Sequence, residues 1–186
     1  MTEEEIRRSI SRAINGDKDA FEMIYLHTRD DVYRTVSFLL SNRDDVHDVV
    51  NEIYIGLWKS LAQYDQTRPF RSWLHGLIIR QVQDWRRKIW RRWRLSNRHK
   101  EMGLEEKDSA AQLDMETRDE LITAIHHLPY KLRVVIILRY FHEYSVEETA
   151  SLLNIPVGTV KSRHHLAVKE LRKKYDQERM RSDYVL

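Results

Sequence analysis

Hydrophobic side chains recur along most of the chain at spacings of three and four residues, the period that places them on one face of an α-helix. The most regular stripe is Val46, Val49, Val50, Ile53, Leu57 and Leu61. Residues that commonly cap or break helices divide the first 95 residues into four predicted helices. These helices begin at or just after Thr2, Asp17, Asp44 or Asp45, and Pro69. Four helices with short connections form a small bundle.

A second helical region follows a break in this pattern. Periodicity is lost over 96–115, which predicts a flexible tether, and it resumes from Glu116. We therefore expect an all-α protein with two small domains, over 1–95 and 116–178, and a tail over 179–186.

The segment 145–172 predicts a helix-turn-helix. Ser145 and Glu148 have the spacing of a capping box, which opens a short helix. Asn154 tolerates the left-handed conformation that ends helices, and Pro156 cannot continue one. A longer basic helix is expected over 157–175.

Packing within this motif separates core residues from exposed ones. Ala150 is small where the two helices would cross, and Ile155, Val160 and either Leu166 or Val168 are expected to face the core. The longer helix can enter a DNA major groove with its polar and basic side chains. These are Thr159, Lys161, Ser162, Arg163, His165 and Lys169. The alternative is an ordinary helical hairpin with a solvated basic face.

Composition narrows the class of protein. The chain has no Cys, which excludes disulfide scaffolds, thiolate catalysis and Cys-based zinc sites and suits a reducing cytoplasm. It has only 5 Gly and 3 Pro in 186 residues, which argues against β-rich folds and Gly-rich phosphate loops. It contains no apolar run of membrane-spanning length, and residues 1–15 do not resemble a signal peptide. A soluble, cytosolic helical protein is expected.

Charge is segregated along the chain although the total is only +3. The blocks 1–67, 68–100, 101–130 and 131–186 carry net charges of −5, +10, −6 and +4. This alternation indicates a polyanionic partner for the basic blocks and a different partner for the acidic ones; solvated faces are the alternative.

The most basic stretch is 86–94, where six cations in nine residues alternate with Trp90 and Trp93. This combination grips phosphates and stacks on unpaired bases. A surface helix bound to anionic lipid has a similar composition. Trp73 and Trp85 fall on the apolar stripe and are expected to pack in the core.

Three stretches together resemble one family. Residues 45–58, Asp-Val-His-Asp-Val-Val-Asn-Glu-Ile-Tyr-Ile-Gly-Leu-Trp, resemble the helix by which bacterial sigma factors bind the RNA polymerase clamp. Residues 70–87 resemble their promoter-melting helix, and 128–163 their C-terminal promoter-reading domain. The order and spacing resemble an extracytoplasmic-function sigma factor of the sigma-70 family over 17–175.

The resemblance implies three binding surfaces. Core RNA polymerase would be bound at the clamp helices of its largest subunit and at its flap, the clamp contacts being Asp45, Asp48, Asn51, Glu52 and Ile55. The −10 promoter element would be held by Tyr64, Arg68, Phe70, Arg71, Arg80, Asp84, Arg87, Lys88 and Arg91. The −35 element would be read by the six exposed residues of the helix-turn-helix, and the tether would pass through the polymerase interior.

The same resemblance implies a partner anti-sigma factor, often membrane-anchored, and hence a cytoplasmic protein that such a partner can hold at the inner face of the membrane. It implies no enzymatic activity, no cofactor, no metal, no small-molecule substrate and no stable membrane insertion. Adjacent histidines, as in the pairs His126-His127 and His164-His165, do not face one another on a helix, which argues against zinc.

Two positions depart from the family pattern. Arg80 stands where the family often has Asn, and Asn51 where it usually has Gln. His164, His165 and Leu166 occupy positions at which the family varies, so the resemblance does not assign the −35 sequence.

Two other classes of function were weighed. A stand-alone helix-turn-helix regulator would use the N-terminal helices for dimerisation or sensing and would bind palindromic half-sites without polymerase. An enzyme acting on nucleic acid would need a phosphate loop, a metal cluster or a nucleophile–base pair, and the sequence offers none of these. The acidic stripe beside the basic helix favours the sigma factor.

Overall fold

The computed structural model describes residues 1–96 and 120–183, and the side chains of 1–94 and 121–176. The described residues contain helices and no strand, and they form two compact units, as the all-α, two-domain prediction requires. Of the predicted tether 96–115, all but Ser96 lies outside the described residues, as does the predicted start at Glu116.

The first unit is a bundle of four helices with one short 3₁₀ turn. The helices are α1 Glu3–Ile14, α2 Lys18–Leu39, α3 Arg43–Ser60 and α4 Phe70–Ser96, and the turn is Leu61–Gln63. Helix α2 packs against α1, α3 and α4. Each helix contributes fully buried side chains to one core, among them Ile10, Ile24, Leu39, Ile53, Leu57, Phe70, Leu74 and Ile78. Burial of each stabilises the fold by about 1.5–3 kcal/mol.

Local polar contacts fix the ends of these helices. The Thr2 hydroxyl accepts from the Glu5 N–H at 3.2 Å, and the Glu5 carboxylate accepts from the Thr2 N–H at 2.7 Å, which completes a capping box. Gly16, at φ +90°, follows α1, and Asp17 accepts from the Ala20 N–H at 3.0 Å to begin α2. These boundaries agree with the predicted ones.

Two details of this unit differ from the prediction. Helix α3 begins at Arg43 rather than at Asp44 or Asp45. The residue that caps it is Asn42, whose side chain accepts from the Asp44 N–H at 2.8 Å. The spacing of apolar residues in the sequence also predicts that Tyr25 belongs to the apolar stripe of α2. It is 41% exposed instead, since the buried face of α2 runs through Ile24 and Thr28.

The second unit comprises α5 Glu120–His126, α6 Tyr130–Ile136, α7 Val146–Leu153 and α8 Val157–Asp183, and α6 continues into a π-helical turn over Ile137–Phe141. Arg133 is buried and donates to the carbonyls of His126 and Leu128, the latter at 2.9 Å. Its guanidinium therefore satisfies backbone acceptors at the end of α5.

The helix-turn-helix has the predicted local chemistry. Ser145 and Glu148 form a complete capping box at the start of α7, and Asn154 adopts φ +51° at its end. Ala150 is buried in a cluster with Val135 and Val160, which confirms it as the small residue at the helix crossing.

Of the two residues expected on the core face of α8, the structure selects Val168. Leu166 is 48% exposed, whereas Val168 packs against the cluster of Ile125, Leu128 and Ile136, in which the neighbouring Ala167 is fully buried. A helix presents one face at a spacing of three to four residues, and from Val160 that face continues through Ala167. Ile155 is half-buried. Helix α8 also extends to Asp183, beyond the predicted end near residue 175 and into the predicted tail.

We expect Gly16→Ala to lower the free energy of unfolding of the first unit by about 1 kcal/mol, because an added Cβ at positive φ is strained even though it meets no neighbour there. All five tryptophans lie between residues 58 and 93, so tryptophan fluorescence during urea unfolding reports this unit alone.

Gly158→Ala is the matched control. Its added Cβ also meets no neighbour, but it lies in α8 of the second unit, so the tryptophan transition should not move. An unchanged transition in Gly16→Ala would contradict the requirement for glycine at that turn.

Candidate polymerase and nucleic-acid interfaces

Helix α3 presents an acidic surface, here called the α3 acidic surface, made of Asp45, Asp48, Asn51, Glu52 and Ile55. Spacings of three and four place these side chains along one side of the helix. Asp48, Asn51, Glu52 and Ile55 are exposed, and Asp45 is half-buried. The opposite side of α3 carries the buried Val46, Val49, Ile53 and Leu57. The predicted residues therefore share an accessible face.

Large apolar side chains accompany the acidic ones: Ile55 belongs to the surface, and Trp58, which was not among the predicted contacts, lies one turn further along α3. Ile55 is 48% and Trp58 41% exposed, and the Trp58 ring contacts the edge of Phe21 with centroids 4.8 Å apart. Tyr25, on α2, packs edge-on against Tyr54 at 4.7 Å. Exposed apolar residues beside polar ones are typical of protein-binding surfaces.

Asp45 lies at the inner edge of the α3 acidic surface. Burial raises the pKa of its carboxyl group, an interaction with the Trp85 side chain opposes that rise, and the like charges of Asp48 and Asp44 reinforce it. The ionised carboxylate therefore costs folding free energy at neutral pH.

The loop between the 3₁₀ turn and α4, residues 64–69, is held by its own polar groups. Asp65 accepts from the backbone N–H of Thr67 at 3.0 Å and from its hydroxyl at 2.7 Å, and these bonds lower the pKa of Asp65. The Tyr64 hydroxyl donates to the carbonyl of Arg68. This loop, hereafter the 64–69 loop, thus has a defined conformation.

Two predicted DNA-contacting residues are buried. Tyr64 is 6% and Phe70 2% exposed, and both rings pack against Trp73, with centroids 4.9 and 5.9 Å away. Aromatic packing thus places both rings beneath the loop in the free protein, and their contact with DNA stays a prediction. Arg68 and Arg71 are exposed at its surface.

The second half of α4 is a basic stripe. Arg80, Asp84, Arg87 and Arg91 are all exposed and lie on one face by their spacing. Asp84 forms an ion pair with Arg87 and neutralises one positive charge. The stripe as a whole remains cationic, because it carries more Arg than Asp.

Exposed indole rings accompany these cations. Trp90 is 43% and Trp93 46% exposed, as predicted, whereas Trp85 is half-buried. Arg94 lies over the Trp90 ring at 4.3 Å and Lys88 over Trp85 at 5.4 Å. Flat rings with adjacent positive charge can both stack on bases and neutralise phosphates.

Helix α8 presents the other basic surface. Lys161, Ser162, His165 and Lys169 are exposed, and Thr159 and Arg163 are half-buried at the margins of the same face. Lys161, Ser162, His165 and Lys169 face away from the buried Val160 and Ala167, whereas Arg163, three residues from Val160 and four from Ala167, borders the buried face. Four of the six predicted residues are therefore fully accessible to a groove that holds α8, and Thr159 and Arg163 lie at the edge of that surface.

The neighbouring His164 is oriented by another helix. Its Nε2 atom lies 2.9 Å from the Tyr140 hydroxyl, and the two rings stack with centroids 5.7 Å apart. His127, of the other histidine pair, lies 2.8 Å from Nζ of Lys174. Each of these two rings thus has a neighbouring side-chain partner.

Comparison with known proteins identifies the family of the chain. The family models described as Sigma-70 region 2 and Sigma-70, region 4 match residues 24–92 and 118–171, together about two thirds of the chain. The ECF RNA polymerase sigma factor SigW of Bacillus subtilis is 29% identical over 180 residues, which are 90% of this chain and 95% of that protein. The chain belongs to the extracytoplasmic-function (ECF) group of the sigma-70 family.

A second relative and two solved structures are similar to this ECF sigma factor. The ECF RNA polymerase sigma-E factor of Escherichia coli K12 is 29% identical over 164 residues, covering 83% of this chain and 85% of its own. The structure of CnrH in complex with the cytosolic domain of CnrY has a TM-score of 0.65 at 22% identity, over 93% and 98% of the two chains. The sigma factor RpoE in complex with the anti-sigma factor NepR from Bartonella quintana has a TM-score of 0.65 at 20% identity, over 82% and 94%. These structures share the fold.

An ECF sigma factor is an alternative sigma factor, which binds core RNA polymerase and directs it to start transcription at promoters. The stand-alone regulator is accordingly not favoured. The region 2 match contains α3 and all but the end of α4, the region 4 match contains the helix-turn-helix, and α1 precedes both. Within the described residues, no helix is long and apolar enough to cross a membrane.

We expect Asp45→Asn to raise the free energy of unfolding of this sigma factor at pH 7, because it removes the ionised carboxylate that burial disfavours. The gain should be present above the pKa of Asp45 in the folded protein and shrink as the pH falls through it, since the wild-type carboxyl group is then neutral as well. Urea unfolding followed by tryptophan fluorescence at a series of pH values measures it.

Glu52→Gln, on the exposed part of the same helix, is the control and should change stability little. A lower stability of Asp45→Asn at pH 7 would show that the carboxylate stabilises the fold, contrary to this account.

Proposed function

We propose that this ECF sigma factor divides its task among three surfaces: the α3 acidic surface binds the clamp helices of the largest polymerase subunit, the 64–69 loop with the basic face of α4 holds the −10 element, and α8 reads the −35 element. The observation that carries the proposal is that one compact unit exposes an acidic and apolar face on α3 and a cationic, Trp-bearing face on α4. A regulator that bound DNA alone would need only the second.

The α3 acidic surface has the composition of a protein interface. Ile55 and Trp58 offer apolar area that partner contact would remove from water, and Asp48 and Glu52 offer charges that steer a basic partner and set the register. We assign Asp45, Asp48, Asn51, Glu52 and Ile55 to this contact, and we assign the polymerase flap to the second unit.

The −10 contact is proposed to combine phosphate neutralisation with capture of an unstacked base. Arg80, Arg87, Lys88 and Arg91, with Arg68 and Arg71 beside the loop, would follow the phosphates, and Asp84 would orient Arg87 through their ion pair. Extruding a base costs a few kcal/mol, so contacts at the loop must return that free energy. Tyr64 and Phe70 support the loop from below.

The −35 contact is assigned to the exposed face of α8. Lys161 and Arg163 can donate to the acceptors that guanine presents in the major groove, and Thr159, Ser162, His165 and Lys169 lie around them. Contacts to base edges confer sequence preference, and contacts to phosphate confer affinity without it.

The wider assignment follows from the same role. We place the domain boundaries at 95 and 116, with 96–115 as the tether, and move the end of the second domain to Asp183, where α8 ends. The protein acts in the cytoplasm, where polymerase is found, and it is not an enzyme. An anti-sigma factor is a proposed partner, and the complex of the similar RpoE with NepR supports it.

In vitro transcription with core polymerase and a library of randomised promoters tests the function. Adding the protein should yield transcripts from a subset of promoters with a shared −10 and −35 sequence. Lys161→Ala and Arg163→Ala should each reduce transcription from selected promoters by about tenfold, since a good base contact contributes ~1–3 kcal/mol.

Lys131→Ala, which removes an exposed cation from α6 of the same unit, should leave promoter selection unchanged. On promoters whose −35 element has been replaced, the two α8 variants should give the same amount of transcript as the wild-type protein. If no promoter in the library yields a transcript that depends on the protein, the proposed function is wrong.

Charge reversal tests the α3 acidic surface. Asp48→Lys with Glu52→Lys should abolish binding to core polymerase in a pull-down with the full chain, because the reversed charges repel a basic partner. Glu4→Lys reverses an exposed acid on α1, outside this surface, and should bind like wild type. Undiminished binding of the double variant would contradict the clamp assignment.

A further inference from the structure

Helix α4 begins without a cap from its own neighbourhood. The first N–H groups of a helix have no intrahelical acceptor, and a Ser, Thr, Asp or Asn side chain just before the helix usually satisfies one of them. Here the preceding residue is Pro69, which has no side-chain oxygen. The N–H of Phe70 instead donates to Oε1 of Glu3 at 2.9 Å, across 67 residues of sequence.

The Glu3 carboxylate is suited to that position. Its negative charge lies at the N-terminus of α4, where the helix dipole favours an anion. Arg7, one turn further along α1, lies with Nη2 3.9 Å from Oε1 of Glu3 and keeps the charge paired. Glu3 thus joins α1 to the point at which the 64–69 loop becomes helix.

The charges of Glu3 and Arg7 also act on a second residue of the loop, Tyr64. Burial raises the pKa of the Tyr64 hydroxyl, the charge of Glu3 adds to the rise, and Arg7 opposes it. That hydroxyl donates to the Arg68 carbonyl, next to Pro69. The Glu3–Arg7 pair therefore lies close to the end of the loop, where the Tyr64 hydroxyl meets the Arg68 carbonyl.

A third contact joins α1 to the middle of the loop. Nε2 of Gln66 lies 3.4 Å from the Ser11 hydroxyl. Glu3, Arg7 and Ser11 are four residues apart, so they form one line on α1. This line borders the buried face of α1, made of Ile6, Ser9, Ile10 and Ala13, but Glu3 and Ser11 are themselves exposed. The Glu3 side chain can therefore be changed without removing a core residue.

We propose that α1 positions the 64–69 loop for the −10 element and that Glu3 is its main positioning residue. This inference rests on the proposed function of the loop. A loop held by α1 at its middle and at its end loses little conformational freedom when it captures a base, so more of the contact free energy remains for binding. Helix α1 lies before residue 24 and outside both family matches, so the family comparison assigns it no such role.

Binding of −10 DNA by the holoenzyme tests the proposal. Holoenzyme formed from the full chain is titrated with a fluorescent single-stranded −10 oligonucleotide, taken from a promoter that the wild type selects. Glu3→Ala should weaken binding about fivefold, the factor that a capping interaction of ~1 kcal/mol gives. Glu3→Gln should be intermediate, because its amide oxygen still accepts from Phe70. Glu4→Ala, which removes the neighbouring exposed acid that pairs with Arg8, should match wild type.

A set of abasic oligonucleotides separates positioning from general destabilisation. Each −10 base is removed in turn, and the base whose loss weakens wild-type binding most marks the captured position. If Glu3 acts through capture, wild type and Glu3→Ala should bind equally to that abasic strand, as a double-mutant cycle requires for coupled groups.

Three results would overturn the inference. Equal binding of Glu3→Ala and wild type to the intact strand would show that the cap does not matter for DNA. An equal loss on every oligonucleotide, with a lowered tryptophan unfolding transition, would show that Glu3 is only structural. Holoenzyme whose wild-type protein shows no −10 preference would refute the proposed function itself, and the inference with it.

Discussion

Packing of the first half of α4 is the constraint on which the first domain depends. This half of the helix is buried through Leu74, Leu77, Ile78, Ile79 and Val82, whereas the described side chains of α4 after Arg86 are exposed. A helix is stiff along its axis, so burial of one half fixes the direction of the other. The direction of the basic stripe is therefore fixed by packing of the first half of α4 in the α1–α4 bundle, although the stripe itself is not buried. The same packing sets α3 beside α4, which brings Asp45 close to Trp85.

Charge segregation has a cost that this arrangement keeps small. Six cations over 86–94 repel one another, and only partial relief comes from Asp84 and from the indole faces beneath Lys88 and Arg94. Because that half of α4 is exposed, water and salt screen most of the repulsion. Asp45 shows the opposite case, a carboxylate near like charges and partly out of water, where the pKa rises. The ionised Asp45 carboxylate thus lowers the free energy of unfolding at the place where the α3 acidic surface meets the core.

Local chemistry accounts for what the sequence could predict. The capping boxes at Thr2 and Ser145, the left-handed Asn154 and the small Ala150 each depend on neighbours within a few residues, and each is found as predicted. The acidic and basic faces were also predictable, because spacing on a helix determines which side chains share a side.

Tertiary contacts decide what the sequence could not show. Tyr64 and Phe70 were assigned to DNA by the family resemblance, which carried no information on the packing by which Trp73 and one another cover both rings. On α8, spacing left Leu166 and Val168 as alternatives, and contact with Ile125 and Leu128 selects the side of the helix that carries Ala167 and Val168. Glu3 carried no signal beyond helix propensity, since its partner Phe70 lies 67 residues away.

The near-neutral total charge follows from how such a protein must select its target. A chain whose every surface were basic would bind DNA of any sequence, and salt-dependent phosphate contacts would dominate. Here the basic α4 stripe shares its unit with the α3 acidic surface, which repels DNA phosphates and favours a basic protein instead. The second unit has its own basic surface on α8, for which we propose the −35 contact. Two weak, separate DNA contacts become strong when one partner holds both, because the second contact then forms at a high effective concentration. With the surfaces assigned as proposed, the charge pattern makes promoter binding depend on polymerase, the property that distinguishes an initiation subunit from a repressor.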